Sequence, residues 1–371
     1  MDGFQEPRGS GGAFTRDASR SWTLPSRYYT DRAIAAQEQE RIFQRSWCYV
    51  GHVSELAETG AYLTDRVANQ PIVLLRDKDG AIRAFYNVCR HRAHLLLKGC
   101  GQVKPAGITC PYHAWTYALD GRLKAARLTE DVPDFDKADF PLRALGVSVI
   151  AGLVFVHLDA QAAPLDSEVP GFAATLIDHL PHLADFQLAQ RITFDIKANW
   201  KVCVDNFSEA YHIPVAHPEL ARLHGGKPRP AVMGERFACY SNIGKSSYTG
   251  FPVSENASYL SWTLWPHHCL LSLPGTPQLI VLRMTPEGPG HCLERADILA
   301  PRDASSDVLE KIRALFAENF NLEDVAIVES VQLGLASLGY DQGRYVVDRA
   351  DSWFSESALH RFHSQVLKAL G

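Results

Sequence analysis

The chain has 371 residues, a formal net charge of −5, 46 % hydrophobic and 21 % charged residues, an ordinary balance for a globular enzyme with a sizeable core. It carries no basic footprint for nucleic acid, no apolar run of membrane-spanning length, and no basic-then-apolar signal sequence at its N-terminus. Its eight cysteines follow no disulfide-framework spacing, which points to reduced thiols and a cytoplasmic location.

Residues 1–21 read as a flexible lead-in, rich in Gly and Ser. Asp31 to Trp47 has helical spacing, with Ile34, Ala35, Gln39, Ile42 and Phe43 on one face, so 22–47 is expected to be a helical lead-in packing on a larger domain. Residues 48–157 then change period. Tyr62-Leu-Thr, Pro71 to Arg76, Ala81 to Tyr86 and Gly152 to His157 read as short strands of a small all-β domain.

Within that domain lie Cys89-Arg-His91 and Cys110-Pro-Tyr-His113. Two thiolates and two imidazoles suit zinc or a Rieske [2Fe–2S] centre, in which two histidines replace two cysteines on one iron. The spacing separates these. Zinc fingers pair Cys with Cys and His with His along the chain, whereas here each loop supplies one of each. One iron can then take both thiolates and the other both imidazoles, each from two loops. This is a Rieske pattern, and it makes Cys89, His91, Cys110 and His113 the candidate cluster ligands.

Residues 158–371 are expected to form a larger domain in which an antiparallel sheet packs on long helices, giving an α+β chain overall. After a mixed stretch from Gln161 to Leu188, strands are expected at Arg191–Lys197, Arg236–Asn242, Leu270–Leu273, Gln278–Thr285 and His291–Leu299. Helices are expected from Trp200 to His212 and from Ser306 to Ser337, the second interrupted near Asn319. The first would carry Asp205, Glu209 and His212 on one face. Pro214 ends it, so His217 sits beyond the break. Two imidazoles converging there can bind one metal ion and leave it an open face. A non-haem Fe(II) oxygenase site needs a carboxylate as third ligand. Asp324 lies in register with the apolar Val328, Val331 and Leu335, where an unpaired charge would be costly; a helix-terminus role is the alternative for it. Glu323 and Glu329 read as solvated.

These motifs resemble the catalytic α subunits of the Rieske non-haem iron oxygenases, from Arg41-Ile-Phe-Gln-Arg-Ser-Trp47 to Ser355-Glu-Ser-Ala-Leu-His360-Arg-Phe-His363. The resemblance implies a helix-grip type catalytic domain, a [2Fe–2S] cluster on the Cys/His quartet, and a mononuclear Fe(II) on His212, His217 and Asp324. It implies O2 as oxidant, with electrons from NAD(P)H through a separate flavin or iron–sulfur reductase. It also implies a homotrimer, in which Glu209 bridges His113 of one subunit to His212 of the next. The chain departs from the usual loop, having Arg90 where the family has Pro and Ala93 where it has Gly. Most ring-hydroxylating members have Asp at the position of Glu209. Glu there is similar to the branch acting on carnitine, glycine betaine and stachydrine, which are quaternary ammonium compounds. Tyr211, Phe251, Tyr259, Trp262 and Trp265 are then candidates for cation–π contact with substrate. The alternative is a hydroxylase or O-demethylase of an aromatic acid. An electron-transfer protein with a cluster alone, or a binding module with a degenerate iron site, would leave His212, His217 and Asp324 unexplained.

Overall fold

The computed structural model describes residues 10–104, 106–223, 227–228, 232–243, 258–274, 277–349, 352 and 354–371. The chain divides into two compact units, Phe43–Ser167 and a second made of Met1–Ile42 with Glu168–Gly371. The boundaries expected at 47/48 and 157/158 are therefore displaced, and the stretch through Ser167 stays with the first unit.

The Phe43–Ser167 unit is built from strands β1 (Cys48–His52), β2 (Ala61–Val67), β3 (Gln70–Arg76), β4 (Ile82–Tyr86), β5 (Cys100–Gln102), β6 (Ile108–Thr109), β7 (Thr116–Tyr117), β8 (Leu123–Ala125), β9 (Ala144–Ile150) and β10 (Leu153–His157). One antiparallel sheet runs β1-β10-β9-β4-β3-β2-β5 and a second runs β6-β7-β8. β3 is buried from Ile72 to Leu75, as expected of an apolar run with both faces covered. A two-residue loop joins β2 to β3, with Ala68 and Asn69 both at positive φ, the geometry that matches strand twist in a tight hairpin. A core of Phe85, Leu96, Ile108, Trp115, Tyr117 and Leu142 packs around Cys89 and Cys110.

The other unit holds β11 (Gln187–Ile196), β12 (Lys227–Pro228), β13 (Val232–Met233), β14 (Phe237–Ile243), β15 (Ser258–Leu264), β16 (His268–Ser272), β17 (Leu279–Gly288) and β18 (His291–Ala300). They form one antiparallel sheet in the order β11-β18-β17-β16-β15-β14-β12, with β13 also on β14. The helices that matter are α1 (Arg32–Arg41), α2 (Trp200–Phe207), α3 (Ile213–Ala216), α4 (Ser306–Ala314), α5 (Asn321–Leu335) and α6 (Ser357–Leu370). Helix α2 packs on β16, β17 and α5.

Several expectations need correcting. β15 was not anticipated, because Ser258, Ser261 and Thr263 break its apolar run. Helix α1 stops at Arg41, and its most buried residue is Glu38, 2 % exposed. Glu38 accepts from Trp200 Nε1 at 2.9 Å and pairs with Lys201 Nζ at 2.5 Å. Lys201 is fully buried, and that burial pulls its pKa down against the pull of Glu38.

The segment 10–21 is anchored rather than loose. Phe14 is buried and stacks on His360 at 4.7 Å, and His360 Nε2 donates to Thr15 O at 2.8 Å. Between α4 and α5 the chain makes a π-helical turn, Leu315–Phe320, the interruption expected near Asn319. Wide turns of this kind re-aim side chains and recur at functional sites.

Candidate active site

The two Cys/His loops share one backbone design. In the first, Ala93 N–H donates to Cys89 O at 2.9 Å and Cys89 N–H to His94 O at 2.8 Å; in the second, Ala114 N–H donates to Cys110 O at 3.0 Å and Cys110 N–H to Trp115 O at 2.8 Å. Each loop turns at an alanine in the left-handed region, Ala93 at φ 57° and Ala114 at φ 60°. Such a position favours glycine, which accounts for the residue the family prefers where Ala93 stands. Arg90 N–H donates to Tyr117 Oη at 2.9 Å, and that hydroxyl lies 3.3 Å from Cys89 Sγ. A proline at position 90 would have no such proton to offer.

The quartet suits a Rieske cluster. Cys89 and Cys110 are buried neighbours, whereas His91 is exposed and His113 partly so. The two imidazoles lie 4.7 Å apart, centre to centre. Burial pushes the Cys110 thiol up, while the N–H groups of Tyr112 and His113, directed at the sulfur, pull it back. Donors aimed at sulfur are the usual setting of cluster thiolates. Partial burial, then the nearby His91 and Arg92, lower the His113 pKa, favouring the neutral ligand form.

The second cluster of polar groups is built from α2, the turn after it, α3 and α5. Helix α2 ends at Phe207, so the continuous face through Asp205, Glu209 and His212 does not form. Asp205 turns away, accepting from Tyr29 Oη at 2.8 Å and lying 2.9 Å from His363 Nε2. Glu209 folds over the turn and accepts from the N–H of Tyr211 and of His212, and from His212 Nδ1. His217, fully buried, follows α3. Its Nδ1 donates to Glu323 Oε2 at 2.6 Å. Glu323 is thus not a solvated bystander, and Glu329 is not one either, since it accepts from Lys197 N–H at 2.9 Å.

Both imidazoles are therefore gripped at Nδ1 by a carboxylate, which leaves Nε2 facing Asp324. His217 Nε2 lies 2.9 Å and His212 Nε2 3.6 Å from Asp324 Oδ1, and Asn206 Nδ2 donates to the same oxygen at 2.7 Å. One ligand atom from each of His212, His217 and Asp324 falls within 4.8 Å of the others. Burial would lower the His217 pKa, but Asp324 and then Glu323 raise it overall. A cation is favoured at this point, and fixed Nδ1 partners are what orient metal-binding imidazoles. Two imidazoles and one carboxylate with an open side fit Fe(II).

The triad opens into a cavity of about 860 Å³, part of it in contact with solvent. Helix α5 supplies Asn321, Asp324, Val325 and Val328, the i, i+3, i+4, i+7 face of one helix. The sheet supplies Tyr240, Tyr259, Ser261, Leu271, Met284 and Glu294, and the π-helical turn supplies Phe316 and Phe320. None of the described lining residues is Lys or Arg. Glu294 is 4 % exposed, and its Oε1 makes no hydrogen bond. Burial pushes its pKa up to about 7; Asn321 beside it opposes the rise and the charge of Asp324 adds to it.

Of the aromatic candidates, Tyr259 lines the cavity and is 7 % exposed. Trp262 is fully buried in the sheet and donates from Nε1 to Thr175 Oγ1 at 3.0 Å. Trp265 packs against Phe362 and lines a separate cleft. Tyr211 is 55 % exposed, away from the lining. Phe251 lies outside the described residues. Tyr240, Phe316 and Phe320 were missed, because a strand tyrosine and a helical Phe pair look like core in the sequence.

Two family models match the chain: a Rieske [2Fe–2S] domain over residues 46–136, and the catalytic domain of ring-hydroxylating α subunits over 183–371. The chain is 36 % identical to the carnitine monooxygenase oxygenase subunit of Escherichia coli over 95 % of its own length and 94 % of that protein. It is 30 % identical to the glycine betaine monooxygenase oxygenase subunit of Chromohalobacter salexigens, over 92 % and 87 %. The crystal structure of a quaternary ammonium Rieske monooxygenase with its substrate L-carnitine superposes with a TM-score of 0.87 at 35 % identity, over 96 % of this chain and 98 % of that one. Naphthalene 1,2-dioxygenase from Rhodococcus shares the fold, with a TM-score of 0.80 at 20 % identity over 94 % of each chain. Cys/His loops shaped for a cluster, a His/His/Asp site opening into a cavity, and likeness along nearly the whole length converge on one conclusion: this chain belongs to the Rieske non-haem iron oxygenases, as a catalytic α subunit.

Proposed function

We propose that this chain is the terminal oxygenase of a system that inserts one oxygen atom from O2 into a C–H bond of a quaternary ammonium compound. Cys89, Cys110, His91 and His113 would hold the cluster, and His212, His217 and Asp324 the mononuclear iron. Bound there, the two centres supply electron transfer and O2 activation. The residues of the chain do the rest. Glu209 and Glu323 fix the imidazole tautomers, Asn206 orients the Asp324 carboxylate, and Tyr259, Phe316 and Phe320 exclude water and offer π faces to a cation.

The observation that carries the substrate class is the cavity itself, aromatic and acidic, with no Lys or Arg among its described lining residues. Among those described residues an anionic ring would find no Lys or Arg to pair with. In relatives, the carnitine and glycine betaine monooxygenases are named for substrates of this class. Per turnover, substrate, O2, NAD(P)H and a proton give hydroxylated substrate, water and NAD(P)⁺. Hydroxylation of an N-methyl group gives a hemiaminal that releases formaldehyde; hydroxylation of another carbon beside nitrogen breaks the C–N bond.

A separate reductase and a homotrimer belong to this reading, with Glu209 accepting also from the partner subunit's His113. Eight free cysteines, none in a disulfide, support a cytoplasmic location, and among the described residues no helix is long and apolar enough to cross a membrane. Oxygen uptake with NADH and a surrogate reductase tests the assignment. Uptake with stoichiometric product is expected on one of L-carnitine, glycine betaine or choline, and none on benzoates. The reverse pattern would replace the substrate class with aromatic acids.

A further inference from the structure

Glu294 is a buried carboxylate that no step above uses. It stands on β18, paired in register with Met284 of β17, and its side chain shares a sheet face with Cys292, itself fully buried. It is 4 % exposed, and its Oε1 lacks a hydrogen-bond partner although it borders the cavity. Asn321, on the first turn of α5, is 5 % exposed and borders the same space; it lies close enough to the Glu294 carboxylate to oppose its pKa rise, yet its Nδ2 completes no hydrogen bond of ordinary length. An orphaned buried acceptor is expensive, and native folds rarely keep one without use. Here it borders the cavity into which the His212, His217 and Asp324 site opens.

The chemistry around Glu294 narrows what its missing partner can be. An anion would meet the Glu294 carboxylate itself and find no Lys or Arg among the described lining residues. A neutral apolar ligand would leave Oε1 as costly as before. A compact cation satisfies both constraints. A quaternary ammonium head carries its charge on methyl groups, which make weak C–H···O contacts to a carboxylate and pack on aromatic faces. Tyr240, Tyr259 and Phe320 line the same cavity.

Resting on the substrate class argued above, we propose that Glu294 is the specificity-determining residue for the substrate's cationic head, holding it by charge within reach of the His212, His217 and Asp324 site. Binding then discriminates by charge: the enzyme prefers a trimethylammonium head to a tert-butyl head of the same shape. Asn321 faces the same space and is available to a polar group elsewhere on the substrate.

The test uses the full-length protein loaded with cluster and iron, kept anaerobic, and calorimetric titration with matched ligands. Choline, glycine betaine and L-carnitine are each compared with the isostere in which carbon replaces the quaternary nitrogen. For the best cation, wild type is expected to favour it over its isostere by on the order of a hundredfold, as a desolvated charge pair warrants. Glu294→Gln should weaken the cation by a similar factor and leave the isostere unchanged, so the ratio falls to near one. Gln is isosteric and removes a buried charge, so the fold should be retained. Glu294→Asp, which keeps the charge, should keep at least a tenfold preference, and it decides the matter alone should the Gln variant not fold. A Gln variant with the wild-type ratio, or an Asp variant with a ratio near one, would overturn the role of Glu294 while leaving the substrate class intact. A wild-type enzyme that binds the isosteres as tightly as the cations would instead overturn the substrate class.

Discussion

At the scale of single residues, the two acids at the start of α5 do different work. Asp324 faces both imidazoles, whereas Glu323 reaches back to the far nitrogen of His217. Asp324→Ala should therefore abolish product formation with the cluster spectrum unchanged. Glu323→Gln should keep measurable turnover but weaken iron binding by about 10- to 100-fold, the usual effect of losing a ligand's orienting partner; titration of iron into metal-free protein measures it. The His/His/Asp set was legible from spacing. Glu323 was not, because adjacent carboxylates on a helix give no sign of which one turns inward. Glu294 was invisible for a related reason: in the alternating run His291-Cys-Leu-Glu-Arg-Ala-Asp a charged residue is expected to face solvent, and here the face is turned to a cavity.

Glu294 also gives a pH dependence with a definite sign. Its folded-state pKa, about 7, lies above the ordinary 4.5. Between those values the folded chain holds a proton that the unfolded chain has released, so stability falls as pH rises from about 4.5 to about 7. A shift of this size corresponds to about 3 kcal/mol. Iron at Asp324 offsets part of it by cancelling that neighbour's charge. Thermal melts of iron-free protein should show the decline, and Glu294→Gln should flatten it.

At the scale of elements, the sequence revealed strands more readily than helix ends. Alternation and turn residues marked β2, β3, β4 and β10, because each exposes one face or is wholly apolar. The N-terminal helix misled, since its apolar spacing gave no weight to Glu38. That residue is the buried anchor joining α1 to α2 through Trp200 and Lys201. Helix α2 in turn sets Asn206, which holds Asp324. Glu38→Ala would strand the Lys201 ammonium in the core, a loss of about 3–5 kcal/mol. A drop in melting temperature of several degrees, with iron affinity falling alongside, is the expected result; an unchanged melt would mean that Lys201 finds another partner. The π-helical turn was foreseeable only as an interruption. Its consequence, Phe316 and Phe320 on the cavity wall beside the α5 face, depends on a register shift that no periodicity reports.

At the scale of the whole molecule, the proposed electron path would join a homotrimer to the chemistry. Glu209 accepts from His212 Nδ1, and an ionised carboxylate has further lone pairs for a second imidazole. Glu209→Gln should leave both metal sites loaded and the trimer assembled, yet slow reoxidation of the reduced cluster by orders of magnitude in stopped-flow absorbance. Reoxidation at the wild-type rate would mean that electrons cross elsewhere. Domain order and the two groups of side chains that the fold brings together were readable because most of their residues sit in short motifs.

The central claim, an oxygenase that hydroxylates quaternary ammonium compounds, is tested most directly by a single turnover. Protein loaded with cluster and iron is reduced chemically without a reductase, freed of reductant, and mixed with O2 and L-carnitine, glycine betaine or choline. The account predicts that with one of these the cluster absorbance recovers while an amine and an aldehyde appear in an amount matched to the cluster oxidised, and that His217→Ala retains the reduced cluster but forms no product. Recovery of the absorbance with no amine or aldehyde formed from any quaternary ammonium compound would contradict it.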